Sequence, residues 1–119
     1  MRNIADSLKP GGIFCLTTLN GYWVIRIMTT ENNEDDRFDP LRCTCSDAHE
    51  HLGRMYQGIE RAYIVPELLK MHAEVGLEVL HVYGGTTGNW GRRPLELDEV
   101  EVMLISRKTE PKLPQTHSV

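Results

Sequence analysis

Thr18, Asn20, Tyr22 and Trp23 follow directly on, or close, an apolar run at residues 13–19 that reads as a β-strand. A hydroxyl, an amide and two aromatic rings at the end of a strand can orient a small ligand and exclude water around it. The carboxyl edge of an open α/β sheet is where such ligands bind. The same residues serve equally as a capped turn with Tyr22 and Trp23 packed as core. A second cluster, Cys43-x-Cys45-x-x-x-His49-x-His51, combines thiols and imidazoles, the donor set of Zn²⁺. Its C-x-C spacing lacks the longer turn of structural zinc sites, so a solvated loop is the expectation and no metal ligand is assigned.

The remaining candidates each have an ordinary structural reading. Residues 31–39 carry five acids, Glu31, Glu34, Asp35, Asp36 and Asp39. They could hold a cation or a basic ligand, but such runs are mostly solvated surface. Arg61 and Tyr63 read as struts against the loop at Asn20. His72 falls on an apolar helix face and His81 inside a strand, where packing or partial exposure is expected rather than catalysis. Trp90-Gly91-Arg92-Arg93 could meet an anion, or be a loop held down by one tryptophan.

The elements that must position these residues are bounded by the whole chain. It has 119 residues, 40% hydrophobic and 25% charged, with 13 Lys+Arg against 17 Asp+Glu and a net charge of −4. That is enough for one core, and so for one domain or part of one. Net acidity argues against a nucleic-acid partner, which calls for clustered basic residues. No apolar stretch approaches the roughly 20 residues needed to span a bilayer, and the opening residues lack an apolar signal core. The expectation is a cytoplasmic protein without a membrane partner. Cys15, Cys43 and Cys45 are an odd number of cysteines, and Cys15, inside an apolar run, reads as a small buried hydrophobe rather than a disulfide partner.

Residues 2–8 read as the end of a helix stopped by Lys9-Pro10-Gly11-Gly12. The strand at 13–19 is apolar throughout, as a strand covered on both faces would be. Periodicity is lost over residues 20–57 apart from a short apolar helix at 22–28, and a connection of that length is usually a lid or a binding loop. Pro66 opens a helix whose apolar face runs through Val65, Leu68, Leu69, His72 and Val75 and which ends at Gly76. Residues 77–83 form a strand, 84–94 a Gly-rich loop and 100–106 a last strand. The tail at 109–119 is expected to be disordered. The first two long strands, joined by a helical crossover, should be parallel and the last two antiparallel. The first strand would then lie at an unprotected edge, so strands that belong beside it are missing.

The run Asn3-Ile4-Ala5-Asp6-Ser7-Leu8-Lys9-Pro10-Gly11-Gly12-Ile13-Phe14 resembles the helix, turn and fifth strand of class I S-adenosylmethionine-dependent methyltransferases. Glu60-Arg61-Ala62-Tyr63, Pro66-Glu67-Leu68-Leu69 and Glu74-Val75-Gly76-Leu77-Glu78-Val79 are similar to the segment leading into that family's sixth strand. Residues 100–108 resemble its seventh, antiparallel strand. The resemblance implies an α/β fold. It would be a partial Rossmann-like methyltransferase sheet ordered helix, strand, long insert, helix, strand, antiparallel strand, with the N-terminal cofactor-binding half absent. Residues 1–108 would be the C-terminal part of a methyltransferase domain, with 20–57 as a lid-like insert. The implied cofactor is S-adenosylmethionine, whose main site is not in this sequence. There is no G-x-G-x-x-G, and the cluster at 84–91 has other spacing. Thr18, Asn20, Tyr22 and Trp23 would then bind an unidentified methyl acceptor. The implied partner is a missing N-terminal half, or a second copy through the first strand. The alternative is a truncated or split product, without activity of its own, that pairs with another chain through that open strand.

Overall fold

Proline and glycine set the first boundary in the computed structural model, which describes residues 1–28, 37–86 and 88–110. Helix α1 (Arg2–Ser7) stops before Pro10, and Gly11 takes φ +81, a conformation open to glycine at no steric cost. The Lys108 ammonium donates to the carbonyls of Ala5 and Leu8 at 2.7 and 2.8 Å. It thereby adds a donor at the C-terminal end of the helix, where the Ala5 carbonyl also accepts the Leu8 N–H at 3.2 Å.

Strand β1 (Ile13–Leu19) leads into helix α2 (Gly21–Ile27). Strands β2 (Phe38–Asp39), β3 (Thr44–His51) and β4 (Arg54–Arg61) form a small antiparallel sheet ordered β2-β3-β4. Helix α3 (Val65–Glu74), with Pro66 in its first turn, precedes β5 (Leu77–Thr86), β6 (Asn89–Arg93) and β7 (Glu101–Lys108). The main sheet has the order β1-β7-β5-β6.

Every ladder between these strands is antiparallel, so the expected parallel sheet does not form among the described residues. β1 and β5 do run in the same direction, but β7 returns between them and pairs with both, Cys15 opposite Ile105 and Ile105 opposite His81. The antiparallel pairing of β5 with β7 forms as expected.

One face of the sheet carries the core. Leu68 of α3 packs on Val102 and Leu104 of β7, joined by Leu16, Val79 and Val82. His72 is fully buried, stacks on Phe14 at 6.1 Å and shares a 2.7 Å hydrogen bond between Nδ1 and the Leu68 carbonyl. The opposite face is open. Ile13 is 57% exposed and Cys15 is exposed. These correct two expectations, that β1 is covered on both faces and that Cys15 is buried. No described helix packs on the face that would cover them, which also holds His81 stacked on Tyr83 at 5.4 Å.

Two further expectations change. In the stretch 20–57 the short helix expected at 22–28 forms as α2, but the remainder is not without regular structure, because it contains β2, β3 and half of β4. The Gly-rich loop is instead the β5–β6 hairpin, with Gly84 opposite Arg93 and Gly85 opposite Trp90. In the tail, Thr109 donates both its N–H and its hydroxyl to the Gly76 carbonyl at 3.0 Å. The expectation for residues 111–119 lies outside the described residues. No described helix is long and apolar enough to cross a membrane.

The β3–β4 turn is strained by its sequence. Leu52 and Gly53 both have positive φ, +52 and +76, as a two-residue hairpin turn requires, and Leu52 is 90% exposed. Leu52→Asn is expected to stabilise the chain by on the order of 1 kcal/mol, because asparagine tolerates that backbone and no packing is lost. A denaturant midpoint that falls instead would contradict the turn assignment.

Candidate functional site

The end of β1 is organised by one side chain. Asn20 is fully buried. Its Oδ1 accepts the Tyr22 N–H at 3.2 Å and so caps α2, the usual work of asparagine at that position. Its Nδ2 donates to the carbonyl of Glu99 at 2.9 Å and lies 3.3 and 3.5 Å from those of Glu96 and Leu97. The Asn20 N–H meets the Val100 carbonyl at 2.9 Å, and the next N–H, of Gly21, meets the Tyr63 carbonyl at 2.8 Å. A Cβ on Gly21 would stand 2.6 Å from that carbonyl oxygen, so glycine is required by close approach. Four segments meet here: β1, α2, the β4–α3 link and the loop before β7.

α2 thus leaves the sheet at a fixed angle and carries Trp23, Val24, Ile27 and Met28 to one side. With Leu19 they form the apolar floor of a cavity of about 300 Å³. The opposite wall comes from Arg37 and the β3–β4 hairpin, through Cys45, Ser46, Gly58 and Glu60. Ser46 donates its N–H and its hydroxyl to the Arg37 carbonyl at 2.8 and 3.3 Å, which fixes Arg37 at the rim. Cys45 and Glu60 are cross-strand partners. Burial pushes the Cys45 thiol above its ordinary pKa, and the neighbouring Cys43 and Glu60 add to this, while Arg37 opposes it.

The structure therefore separates the four residues singled out at the end of β1. Trp23 lines the cavity and Asn20 builds the junction beneath it. Thr18 lies opposite Val102 of β7, and Tyr22 is half-buried in the first turn of α2. Arg61 stacks on Tyr63, 4.8 Å from the ring centroid, and pairs with Glu67 at 2.5 Å. Arg37, Cys45 and Glu60 were missed as a group, since only the hairpin of residues 44–61, with Arg37 tied to its Ser46, brings them together.

Cys43, Cys45, His49 and His51 are not gathered. Cys45 and His49 lie four residues apart on β3, about 13 Å along an extended strand. Of His49 the structure describes the backbone only, and His51 rests against Tyr56 at 6.5 Å. Among the described residues no group of three or more His, Cys, Asp or Glu could hold a metal ion. Of the acidic run, Asp39 alone is described. It accepts the Leu41 N–H at 2.9 Å and pairs with Arg42 at 2.8 Å, and the Arg42 hydrogen bond lowers its pKa. Glu31, Glu34, Asp35 and Asp36 lie outside the described residues. Arg93 pairs with Glu99 at 3.3 Å.

The glycines at 84 and 85 offer no cofactor cradle. Both belong to β5 and pair across the sheet, and a Cβ on either would collide with Glu99 or Trp90. The residues present do not fit the main site of a sulfonium nucleoside.

No family model and no curated protein matches the sequence. Solved structures do match the fold. The CcbJ methyltransferase from Streptomyces caelestis superposes with a TM-score of 0.67 at 23% identity, over 91% of this chain and 51% of that one. An S-adenosylmethionine-dependent methyltransferase from Clostridium acetobutylicum gives 0.54 at 10% identity, over 92% and 49%. The chain is similar in fold to about half of each methyltransferase.

Two outcomes follow from the junction and the hairpin. Asn20→Ala is expected to cost about 2–4 kcal/mol in urea unfolding, from the lost cap and the orphaned carbonyls. Asn20→Asp should be at least as damaging at neutral pH, because it keeps the cap but turns a carboxylate toward carbonyl oxygens. Wild-type stability in Asn20→Asp would contradict the assignment. For the cysteines, a raised pKa leaves less thiolate at a given pH. Alkylation of Cys45 near pH 8 should therefore lag behind that of exposed Cys15, and the lag should vanish in urea. Equal rates in the folded chain would be the contrary result.

Proposed function

We propose that this chain is the C-terminal, acceptor-side part of an S-adenosylmethionine-dependent methyltransferase, with the cofactor-binding part of the catalytic unit lying outside these 119 residues. The observation that carries the reading is the 0.67 superposition over 91% of the chain, which takes up half of the matched enzyme. The placement of Gly84 and Gly85 inside a paired strand, where they offer no cofactor cradle, supports it.

In such an enzyme the cofactor supplies a sulfonium methyl group that is displaced directly by the acceptor's nucleophile, and the protein contributes alignment and exclusion of water. In this chain Trp23 offers the acceptor an aromatic wall, and Thr18 and Tyr22 stand on either side of the turn. Asn20 acts by holding α2, and with it Trp23, against the sheet end. No residue here is assigned as a general base. A net charge of −4 favours an acceptor other than nucleic acid, and we place the protein in the cytoplasm.

A second reading is favoured by β1, which is the edge strand of its sheet and has no charge or proline in Ile13–Leu19 to discourage pairing. In that reading the chain acts only by docking β1 onto another chain, whether a separate N-terminal half or a second copy.

Calorimetric titration of S-adenosylmethionine and S-adenosylhomocysteine separates the two. The chain alone is expected to give no micromolar isotherm. The same chain with a Gly-rich strand–loop–helix half joined ahead of Met1 is expected to give one. Micromolar binding by the chain alone would overturn the placement of the cofactor site. Absence of binding by the joined form would overturn the methyltransferase reading and leave the docking one.

A further inference from the structure

The cavity at the end of β1 has a built asymmetry. Its floor is apolar, while Arg37 and Glu60, of opposite charge, both line its other wall. Both side chains are exposed residues of the rim, and neither forms an ion pair with the other. Each acts electrically on the Cys45 thiol, with opposite sign. The two charges therefore line one cavity with Cys45 without cancelling each other in a salt bridge. Gly58 adds room beside them, since a Cβ there would meet nothing within 4 Å. A volume of about 300 Å³ lies at the small end of ligand pockets.

We propose that this cavity binds a small amphipathic molecule with an apolar body and a zwitterionic, amino-acid-like end. The body lies on Trp23, Val24 and Ile27, its anionic group faces Arg37 and its cationic group faces Glu60. Only the description of this molecule as the methyl acceptor rests on the methyltransferase reading. Binding to the cavity stands on the geometry alone. Single-charge ligands leave one rim charge without a partner, so the cavity should prefer a molecule that meets both.

The test uses the whole ¹⁵N-labelled chain and three probes with the same phenyl body: L-phenylalanine, 2-phenylethylamine and 3-phenylpropionate. The indole N–H signals of Trp23 and Trp90 give a reporter inside the cavity and a control outside it. L-phenylalanine is expected to shift the Trp23 signal saturably, leave Trp90 in place, and bind about fivefold more tightly than either single-charge probe. Arg37→Gln should reduce its affinity to that of the amine, and Glu60→Gln to that of the acid. Gly58→Leu should abolish the shift by filling the cavity, with the spectrum's dispersion showing that each variant remains folded. Equal affinities for the three probes, movement of Trp90 without Trp23, or no saturable shift would each overturn the proposal. Any of these leaves the cofactor titration untouched, and failure of that titration leaves the cavity's occupant as found here.

Discussion

The buried amide of Asn20 fixes the end of the sheet where the candidate site lies. A carboxamide carries a carbonyl acceptor and two N–H donors in one plane, so it can accept from a helix N–H and at the same time donate to carbonyls on another segment. Asn20 does both, capping α2 through the Tyr22 N–H and holding the loop before β7 through Glu99. Gly21 adds the third tie, because only a residue without a Cβ lets the chain pass so near the Tyr63 carbonyl. The direction of α2 follows, and with it the positions of Trp23, Val24 and Ile27 in the cavity floor. A hydrogen-bonded junction of this kind is a matter of positioning, and its contribution to function acts through the residues it places.

The other end of the same logic is β7. Its Val102, Leu104 and Ser106 are fully buried, and it is paired on both sides. Among the described residues β1 pairs with β7 alone and leaves its second edge and its Ile13–Cys15 face open. An apolar strand without charges is costly to leave so exposed. The chain spans about half the length of each methyltransferase structure it matches, and in the function proposed above the other half would cover this edge and face.

Much of this was legible in the sequence, and what was not has specific causes. The helix stop at Pro10–Gly12, Pro66 opening α3, Gly76 at φ +77 and the apolar β7 are local signals read from one stretch of chain. Pairing is not local. The insertion of β7 between β1 and β5 depends on contacts some ninety residues apart in sequence, which no periodicity records. The β3–β4 hairpin was hidden because its strands are polar on most positions, and because Leu52 occupies a turn position where asparagine or glycine is the usual sign. The β5–β6 hairpin was hidden by its glycines, which imitate a loop but sit in the strand beneath Glu99 and Trp90. Among the site residues, Asn20 and Trp23 could be picked out by their place after a strand. Arg37 and Glu60 could not, because the fold of that hairpin is what makes them neighbours.

β1 is an open edge pinned at its C-terminal end, and site-resolved amide hydrogen exchange on the whole chain would read this strand by strand. The amides of β7, together with those of Asn20 and Gly21, are expected to fall in the slowest class. Alternate amides of β1, those turned away from β7, should exchange nearly as fast as unpaired ones. Uniform protection along β1 at low protein concentration, or rapid exchange at Asn20 and Gly21, would contradict it.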